Sequence, residues 1–446
     1  MYTPLISQIV FPLQERLKGH TTVAVRRHME ASQWWPAEQL LRWQVERLRN
    51  LLTNAQQAPY WGALFSRLRF DPHSVTDLSC LRALPLLDKA TIRTHAEAMK
   101  HPQARDLARF NTGGSSGEPL VFFIGKERVS HDVAAKWRAT RWWGVDIGDP
   151  EIVVWGSPIE LGSQDLMRAW RDRLMRTQLL PAFEMTDAKV DAFIQAIRNR
   201  RPRMLFGYPS ALGHIANHAQ ARGVRMDDLG IAVAFVTSER LYDEQRQTIS
   251  RTFGCPVANG YGSRDAGFIA HECPHGSMHL TDEDLVVEIV DAQGHPVPAG
   301  EPGEIVVTHM ATQHFPFIRY RTGDVASMGT EPCGCGRGLA TLREIQGRST
   351  DFVVAANGTV MHGLALIYIL RDMPEVQAFK IVQHTLQHTT VQVVPGQGFG
   401  PQQLECIVAG IRRRLGNEVN VEVHQVNAIS VEKSGKFRYV ISNVQR

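Results

Sequence analysis

The chain has 446 residues, 43% apolar and 21% charged, with a net charge of +4. This is the make-up of a globular protein long enough for two or three domains, not of a disordered chain. Lysine and arginine are scattered among acidic residues without a long basic block, so no nucleic-acid partner is expected.

No apolar run approaches the roughly eighteen residues of a spanning helix; Leu364–Leu370 is far too short. The start, Met1–Leu13, lacks a basic leader and is cut by Pro12, so the expected compartment is the cytoplasm. Ile6, Ile9, Val10, Phe11 and Leu13 in that stretch are expected to pack onto the main domain rather than lie on a membrane. Next, Ala37–Gln57 places Leu41, Val45, Leu48, Leu51, Leu52 and Ala55 on one helical face and Arg42, Glu46 and Arg49 on the other.

Phe110–Leu120 follows, with Gly113, Gly114 and Gly117 among Thr112, Ser115 and Ser116, ahead of the apolar strand Leu120–Ile124. Glycines free the backbone to aim N–H groups at one point, and the hydroxyls add donors, so the loop reads as a phosphate cradle. Alone it reads equally well as a Ser/Gly surface turn. Downstream, Glu151–Trp155, Met204–Tyr208 and Ile231–Thr237 read as strands. They alternate with helices over Asp187–Asn199, Ser210–Arg222 (capped by Ser210) and Tyr242–Phe253. That rhythm predicts a doubly wound, mostly parallel α/β sheet with ligands beyond the carboxyl ends of its strands. The loops to inspect are therefore Tyr208–Ser210, Thr237–Arg240 and Tyr261–Asp265.

From Leu285 the pattern becomes hairpin-like: Leu285–Val290, a turn at Gln293-Gly294, Glu304–Thr308, Phe317–Asp324 and Leu342–Gln346. This predicts an antiparallel β subdomain over about 281–347. Beyond it, Phe352–Ala355, the helix Leu364–Arg371, strands Val376–Val382 and Thr390–Val394, the helix Gln402–Leu415 and the strand Val419–Val426 predict a small α+β domain. The expected division is a large domain over 1–348 and a small mobile one over 352–446, with a hinge near Asp351.

Three further motifs accompany the glycine loop: Asn259-Gly260-Tyr261-Gly262-Ser263-Arg264-Asp265, Arg319-Tyr320-Arg321-Thr322-Gly323-Asp324, and Gln346-Gly347-Arg348-Ser349-Thr350-Asp351 with the distant Ser434-Gly435-Lys436. Each alone is an ordinary turn or a solvated tail. In this order and at these separations, from about Leu40 to Val444, they resemble the adenylate-forming enzymes, most closely the phenylacetate–CoA ligase family with its CapK-like branch.

That resemblance implies an adenylate-forming fold and an ATP- and Mg2+-dependent ligase. It implies that Thr112, Gly113, Gly114, Ser115, Ser116 and Gly117 hold the β- and γ-phosphates of ATP. Thr237-Ser238-Glu239 and Asn259-Gly260-Tyr261 would frame the adenine, with Gly262 and Ser263 continuing the same turn. Asp324 would bind both ribose hydroxyls, Arg348 would lie near the ribose, and Lys436 would reach the reacting carboxylate and α-phosphate. Asp265 takes the family's magnesium-binding glutamate position. The usual Ser/Thr-Glu pair is here Arg264-Asp265, a change that touches the metal geometry. The physics agrees with these roles: joining a carboxylate to a phosphate brings anions together, so catalysis rests on alignment and charge stabilisation, and a mobile lysine supplies a point charge.

The expected product is an acyl- or aryl-adenylate whose acyl group passes to coenzyme A. One alternative sends it to an amine or to a sugar hydroxyl in polysaccharide biosynthesis, and another is a non-catalytic nucleotide-binding relative. The expected partners are a small carboxylic acid and an acyl acceptor; the oligomer, a homodimer included, stays open. Tyr208, at a strand end before Pro209, is the candidate acid-binding residue, and Trp142, Trp143 and Trp155 are aromatic neighbours of the predicted strand ends. Separately, Cys273-Pro-His275-Gly-Ser-Met-His279 and Cys333-Gly-Cys335-Gly supply ligands for a tetrahedral Zn2+. The expected set is Cys273, His279, Cys333 and Cys335, with His275 and His271 as substitutes and unligated thiols as the alternative. Cys80, Cys255 and Cys406 are expected to be apolar filling.

Overall fold

The computed structural model describes residues 2–111, 120–155, 171–182, 184–291, 293–346, 352–371, 373–429 and 439–444. By contacts, the chain divides into two compact units, each built from separated stretches. The first comprises residues 1–112, 120–149 and 258–347, and the second 113–119, 150–257 and 348–446.

The first stretch of the first unit is mostly helical: α1 (Tyr2–Leu5), a π-helical turn (Ile6–Val10), α2 (Phe11–Leu17), α3 (Thr22–Ser32), α4 (Ala37–Ala55), α5 (Pro59–Leu68) and α6 (Lys89–His95). The antiparallel hairpin β1 (Ala108–Asn111) and β2 (Val121–Ile124) and helix α7 (Lys126–Arg141) follow. In α4 the buried face carries Leu40, Leu48, Leu51, Leu52 and Ala55. Leu41, expected on that face, is exposed, and Arg49, expected in water, donates to the Val75 carbonyl from Nε and Nη2 at 3.0 and 2.7 Å. Leu40 and Leu41 are adjacent, so a rotation of one position along a 3.6-residue period exchanges their roles.

The second unit begins with β3 (Glu151–Trp155), β4 (Thr177–Pro181) and β5 (Glu184–Met185). Helix α8 (Asp187–Arg200), β6 (Met204–Gly207), α9 (Pro209–Ala221), β7 (Val233–Thr237) and α10 (Asp243–Phe253) complete this stretch. Strands β4, β3, β6 and β7 lie side by side, all parallel. Their buried Ile152, Val154, Leu205, Ala234 and Val236 pack with Ile194, Ile215 and Ile249 from the helices. Thr186 caps α8 by accepting from the Lys189 N–H at 3.3 Å. The cap of α9 is Tyr208 rather than Ser210, because Pro209 takes the first helical position and leaves Ser210 inside the first turn.

The chain then returns to the first unit through β8 (Val257–Ser263), β9 (Gly267–Glu272), β10 (Met278–Leu280), β11 (Leu285–Val290), β12 (Gly303–His309), β13 (Phe317–Met328) and β14 (Thr341–Gln346). They pair antiparallel in the order β11-β12-β13-β14-β10-β9-β8. The antiparallel region therefore starts near Ala258, well before the expected 281.

The last stretch holds β15 (Phe352–Val354), β16 (Val360–His362), α11 (Leu364–Arg371), β17 (Val376–Thr385), β18 (His388–Pro395), α12 (Pro401–Leu415), β19 (Asn420–Gln425) and β20 (Val440–Ser442). Strand β16 pairs with β15 and with β5, and a second sheet runs β19-β18-β17-β20. In this stretch Leu366, Phe379, Ile381, Val391, Ile407, Ile411 and Val440 close a core of their own. Fold class agrees with expectation: α/β, a large sheet and a smaller C-terminal sheet domain.

Candidate active site

Two of the sequence motifs meet in the first unit, on neighbouring parts of its antiparallel sheet. The Tyr261 hydroxyl at the end of β8 donates to Asp324 Oδ2 on β13 at 3.0 Å. In return the Tyr320 hydroxyl on β13 donates to Asp265 Oδ2 at 2.5 Å. Each motif thus supplies a tyrosine to the other's carboxylate. Asp265, buried, also accepts from the Ser263 hydroxyl through Oδ1, while Ser263 Oγ accepts the Ala266 N–H at 3.1 Å. A Cβ at Gly262 would meet the Gly267 carbonyl at 2.4 Å, so only glycine allows this turn its tightness. Arg264 Nη1 donates to the Asn111 carbonyl at 3.3 Å, and its own carbonyl accepts from Arg128 at 2.8 Å. The start of the motif is held by Glu272, whose Oε2 accepts the Asn259 N–H at 2.7 Å.

In the second unit, Thr237 is buried, Ser238 has φ 71° and Glu239 accepts from the Ser210 N–H at 3.3 Å and from the Ser210 hydroxyl. A non-glycine residue in the left-handed region stores about 1–3 kcal/mol, and such strain gathers at functional turns. Tyr208 is buried, its ring stacked on Trp155 at 4.3 Å. Trp142 and Trp143 do not belong to that cluster. Their indole N–H groups donate to Gln33 Oε1 at 2.8 Å and to the Glu272 carbonyl at 3.0 Å, tying α7 to its surroundings in the first unit. Thr112–Gly117, Arg348, Asp351 and Lys436 lie outside the described residues.

Cys273, His279, Cys333 and Cys335 bring their ligand atoms within 4.8 Å of one another, and among the described residues no other group of three or more such side chains does so. Cys273 Sγ lies 3.7 Å from Cys333 Sγ, and Cys335 Sγ lies 3.2 Å from His279 Nε2. A tetrahedron with metal–sulfur bonds of about 2.3 Å has edges of about 3.8 Å, close to these spacings. The other imidazole nitrogen of His279 faces the Leu339 carbonyl at 3.2 Å, which would orient the ring. Burial pushes the Cys273 thiol up to about 11 and His279 down to about 4. At Cys333 burial acts upward, but hydrogen bonds from Ser277 and Cys335 outweigh it and the thiol falls below its usual value. His271 and His275 stand outside the group; the buried ring of His271 stacks on Phe268. Cys255 is buried, its thiol raised by burial to about 12, whereas Cys406 is exposed and fills no core.

The AMP-binding enzyme family matches residues 174–312, and the CapK C-terminal domain matches residues 353–443. The chain is similar to protein CapK of Staphylococcus aureus, 23% identical over 82% of this chain and 81% of that one. It is also similar to a phenylacetate–coenzyme A ligase of Thermus thermophilus, 26% identical over 76% and 77%. Together these similarities support a phenylacetate–CoA ligase/CapK-like family of adenylate-forming enzymes. A solved 2-hydroxyisobutyryl-CoA ligase, in complex with 2-HIB-AMP and CoA in its thioesterification state, shares the fold with a TM-score of 0.65. That structure is 21% identical and aligns over 92% of this chain and 91% of its own. The same similarities support an acid–CoA ligase-like enzyme, and no described helix is long and apolar enough to cross a membrane.

Two residues that position the family motifs are absent from the sequence-derived site. Tyr320 was legible as part of Arg319–Asp324, since Tyr320 and Asp324 share parity along one strand. Glu272 had no signal: it stands before Cys273 and looks like one more polar strand residue.

Proposed function

We propose that this enzyme joins a small carboxylic acid to AMP with release of pyrophosphate, and passes the acyl group to coenzyme A. The observation that carries this reading is the mutual brace of Tyr261 on Asp324 and Tyr320 on Asp265. It fixes two carboxylates from motifs about sixty residues apart, as a site for a polyhydroxylated, polyphosphorylated ligand requires.

In this reading the acid's oxygen attacks the α-phosphorus, the bond to the β-phosphate breaks and pyrophosphate leaves. Asp324 accepts the ribose hydroxyls, with one oxygen oriented by Tyr261. Thr237, Ser238 and Glu239, with Asn259, Gly260 and Tyr261, frame the base; Thr112–Gly117 hold the phosphates and Arg348 lies near the ribose. Magnesium, when bound, supplies neutralisation of phosphate charge. Asp265 fits it as a buried carboxylate, the oxygen-donor type that magnesium takes from a protein. Lys436 places its ammonium between the acid and the α-phosphate. Residues 352–446, with a core of their own, then turn about Asp351 and withdraw that lysine, and the thiol of coenzyme A displaces AMP. Tyr208, stacked on Trp155, forms part of the wall facing the acid.

A structural Zn2+ held by Cys273, His279, Cys333 and Cys335 belongs to the same proposal, supported by the convergence of their ligand atoms within 4.8 Å of one another. A second reading keeps the adenylation step and sends the acyl group to an amine or a sugar hydroxyl.

The test is acid-dependent pyrophosphate release across aryl, fatty and amino acids, with product analysis with and without coenzyme A. Lys436→Ala should abolish pyrophosphate exchange; near-normal exchange rejects that role. ATP binding without release for any acid would point to the non-catalytic relative.

A further inference from the structure

Among the described residues, the helical run over Tyr2–Leu17 is fastened along one side. Ile6 packs on Gly148, where a Cβ would stand 2.6 Å from that of Ile6. Phe11 meets Trp137 edge to face at 5.1 Å, and Thr3 donates to Asp149 at 2.8 Å. Glu15, buried, accepts from Thr22 at 2.6 Å and pairs with His20 and Lys18. The opposite side carries Leu5, Ile9, Leu13 and Leu17 at a spacing of four, 48%, 59%, 57% and 80% exposed. With Tyr2 they make five of the nine large apolar side chains exposed among the described residues. The expectation that this segment packs against the main domain therefore holds for Ile6 and Phe11 and fails for Ile9 and Leu13.

Charge and area identify what fits this face. The exposed charged residues of the run and the turn after it, Arg16 and Lys18, are cationic, and the acid Glu15 is turned inward. Beside Gln8 and Pro12 lies a recess of about 410 Å³ reached by Arg26, Arg27 and Arg141. Glu30 and Asp146 pair with Arg26 and Arg141, leaving Arg27 as the cation of the recess with no ion pair among the described residues. The apolar stripe amounts to roughly 500 Å², at the top of what monomers expose and short of the ~800 Å² per partner of a stable dimer. An apolar stripe with a basic margin and no exposed acid is the pattern of a helix lying in a lipid interface.

We propose that the outward face of Tyr2–Leu17 docks on an anionic lipid bilayer, with Leu5, Ile9, Leu13 and Leu17 among the acyl chains and Arg16 and Arg27 at the phosphates. The full chain, sedimented with vesicles of phosphatidylcholine alone or mixed with phosphatidylglycerol, should bind the anionic vesicles at least tenfold better, and salt should weaken that binding. The exposed triple variant Ile9→Glu/Leu13→Glu/Leu17→Glu should melt as wild type does and lose at least tenfold in vesicle binding. Arg16→Glu/Arg27→Glu should lose only the preference for phosphatidylglycerol. Wild-type protein that ignores anionic vesicles, or a triple variant that binds them unchanged, overturns the proposal. So does a wild-type dimer that the triple variant turns into a monomer with no vesicle binding, which would assign the face to a second copy.

Discussion

Asp282 sits between β10 and β11, buried, with the Ala340 N–H donating to its Oδ2 at 2.6 Å. Burial pushes its carboxyl up to about 7, and neighbouring Glu283 adds to the rise against the opposing Ala340 hydrogen bond. A pKa raised in the folded state means that folding takes up a proton. The associated stability is fully present below the unfolded value of 3.8 and is lost as pH climbs through about 7. Asp282→Asn keeps an acceptor for Ala340 and removes the charge. Melting temperature should accordingly fall less between pH 5 and pH 8 in the variant than in wild type; parallel profiles would refute the assignment. At this scale the sequence was legible where residue type dictates chemistry. Tyr261, Asp265 and Asp324 stood out, as did the four residues of the cysteine cluster. It was illegible where neighbours decide, as with Arg264, whose guanidinium turns to the Asn111 carbonyl.

Among the elements, α7 shows why periodicity hid part of the fold. Its buried positions include Arg128, Ser130, His131 and Arg138, so a search for an apolar stripe passes over it and no helix is expected there. What holds it is ionic: Arg138 Nη1 meets Glu283 Oε1 at 2.5 Å, both side chains 1% exposed, and Ser32 donates to the same oxygen at 2.9 Å. His131 lies 2.5 Å from Asp284 in the same layer. Removing one partner of a buried pair leaves the other charge uncompensated at a penalty of about 3–5 kcal/mol. Arg138→Met should therefore destabilise by about that amount in urea unfolding, and Arg138→Met/Glu283→Gln should recover much of the loss. If the single variant unfolds within ~1 kcal/mol of wild type, α7 is held by packing alone. The parallel strands β3, β6 and β7, by contrast, are buried apolar runs, and these were read correctly to within two residues.

Across the whole first unit, the cysteine cluster joins β9, β10 and the β13–β14 loop. That loop carries Arg337, whose guanidinium lies 4.8 Å from the Trp34 ring and 4.4 Å from the Trp142 ring and bonds Gln33 at 3.1 Å. Purified protein should hold about one zinc per chain. Cys335→Ser should lose it and melt several degrees lower; metal-free wild type melting unchanged after chelation would remove the metal from the fold. The order of helices and strands was readable because each has its own period, but the way they combine was not. Nothing local in β8–β10 says that they continue the antiparallel sheet, since pairing depends on residues far along the chain.

The interleaving of the two units also bears on how the protein is made. Residues 1–149 include α4 and α5, whose Leu48, Leu51, Leu52, Trp61 and Phe65 close a core with Ile269, Leu285, Ile305 and Phe317. On the ribosome those helices emerge first and wait, apolar faces uncovered, while more than a hundred residues of the other unit are translated ahead of their sheet. That interval is when nascent chains aggregate or recruit chaperones, so slow translation or a truncated message would harm this half of the molecule first.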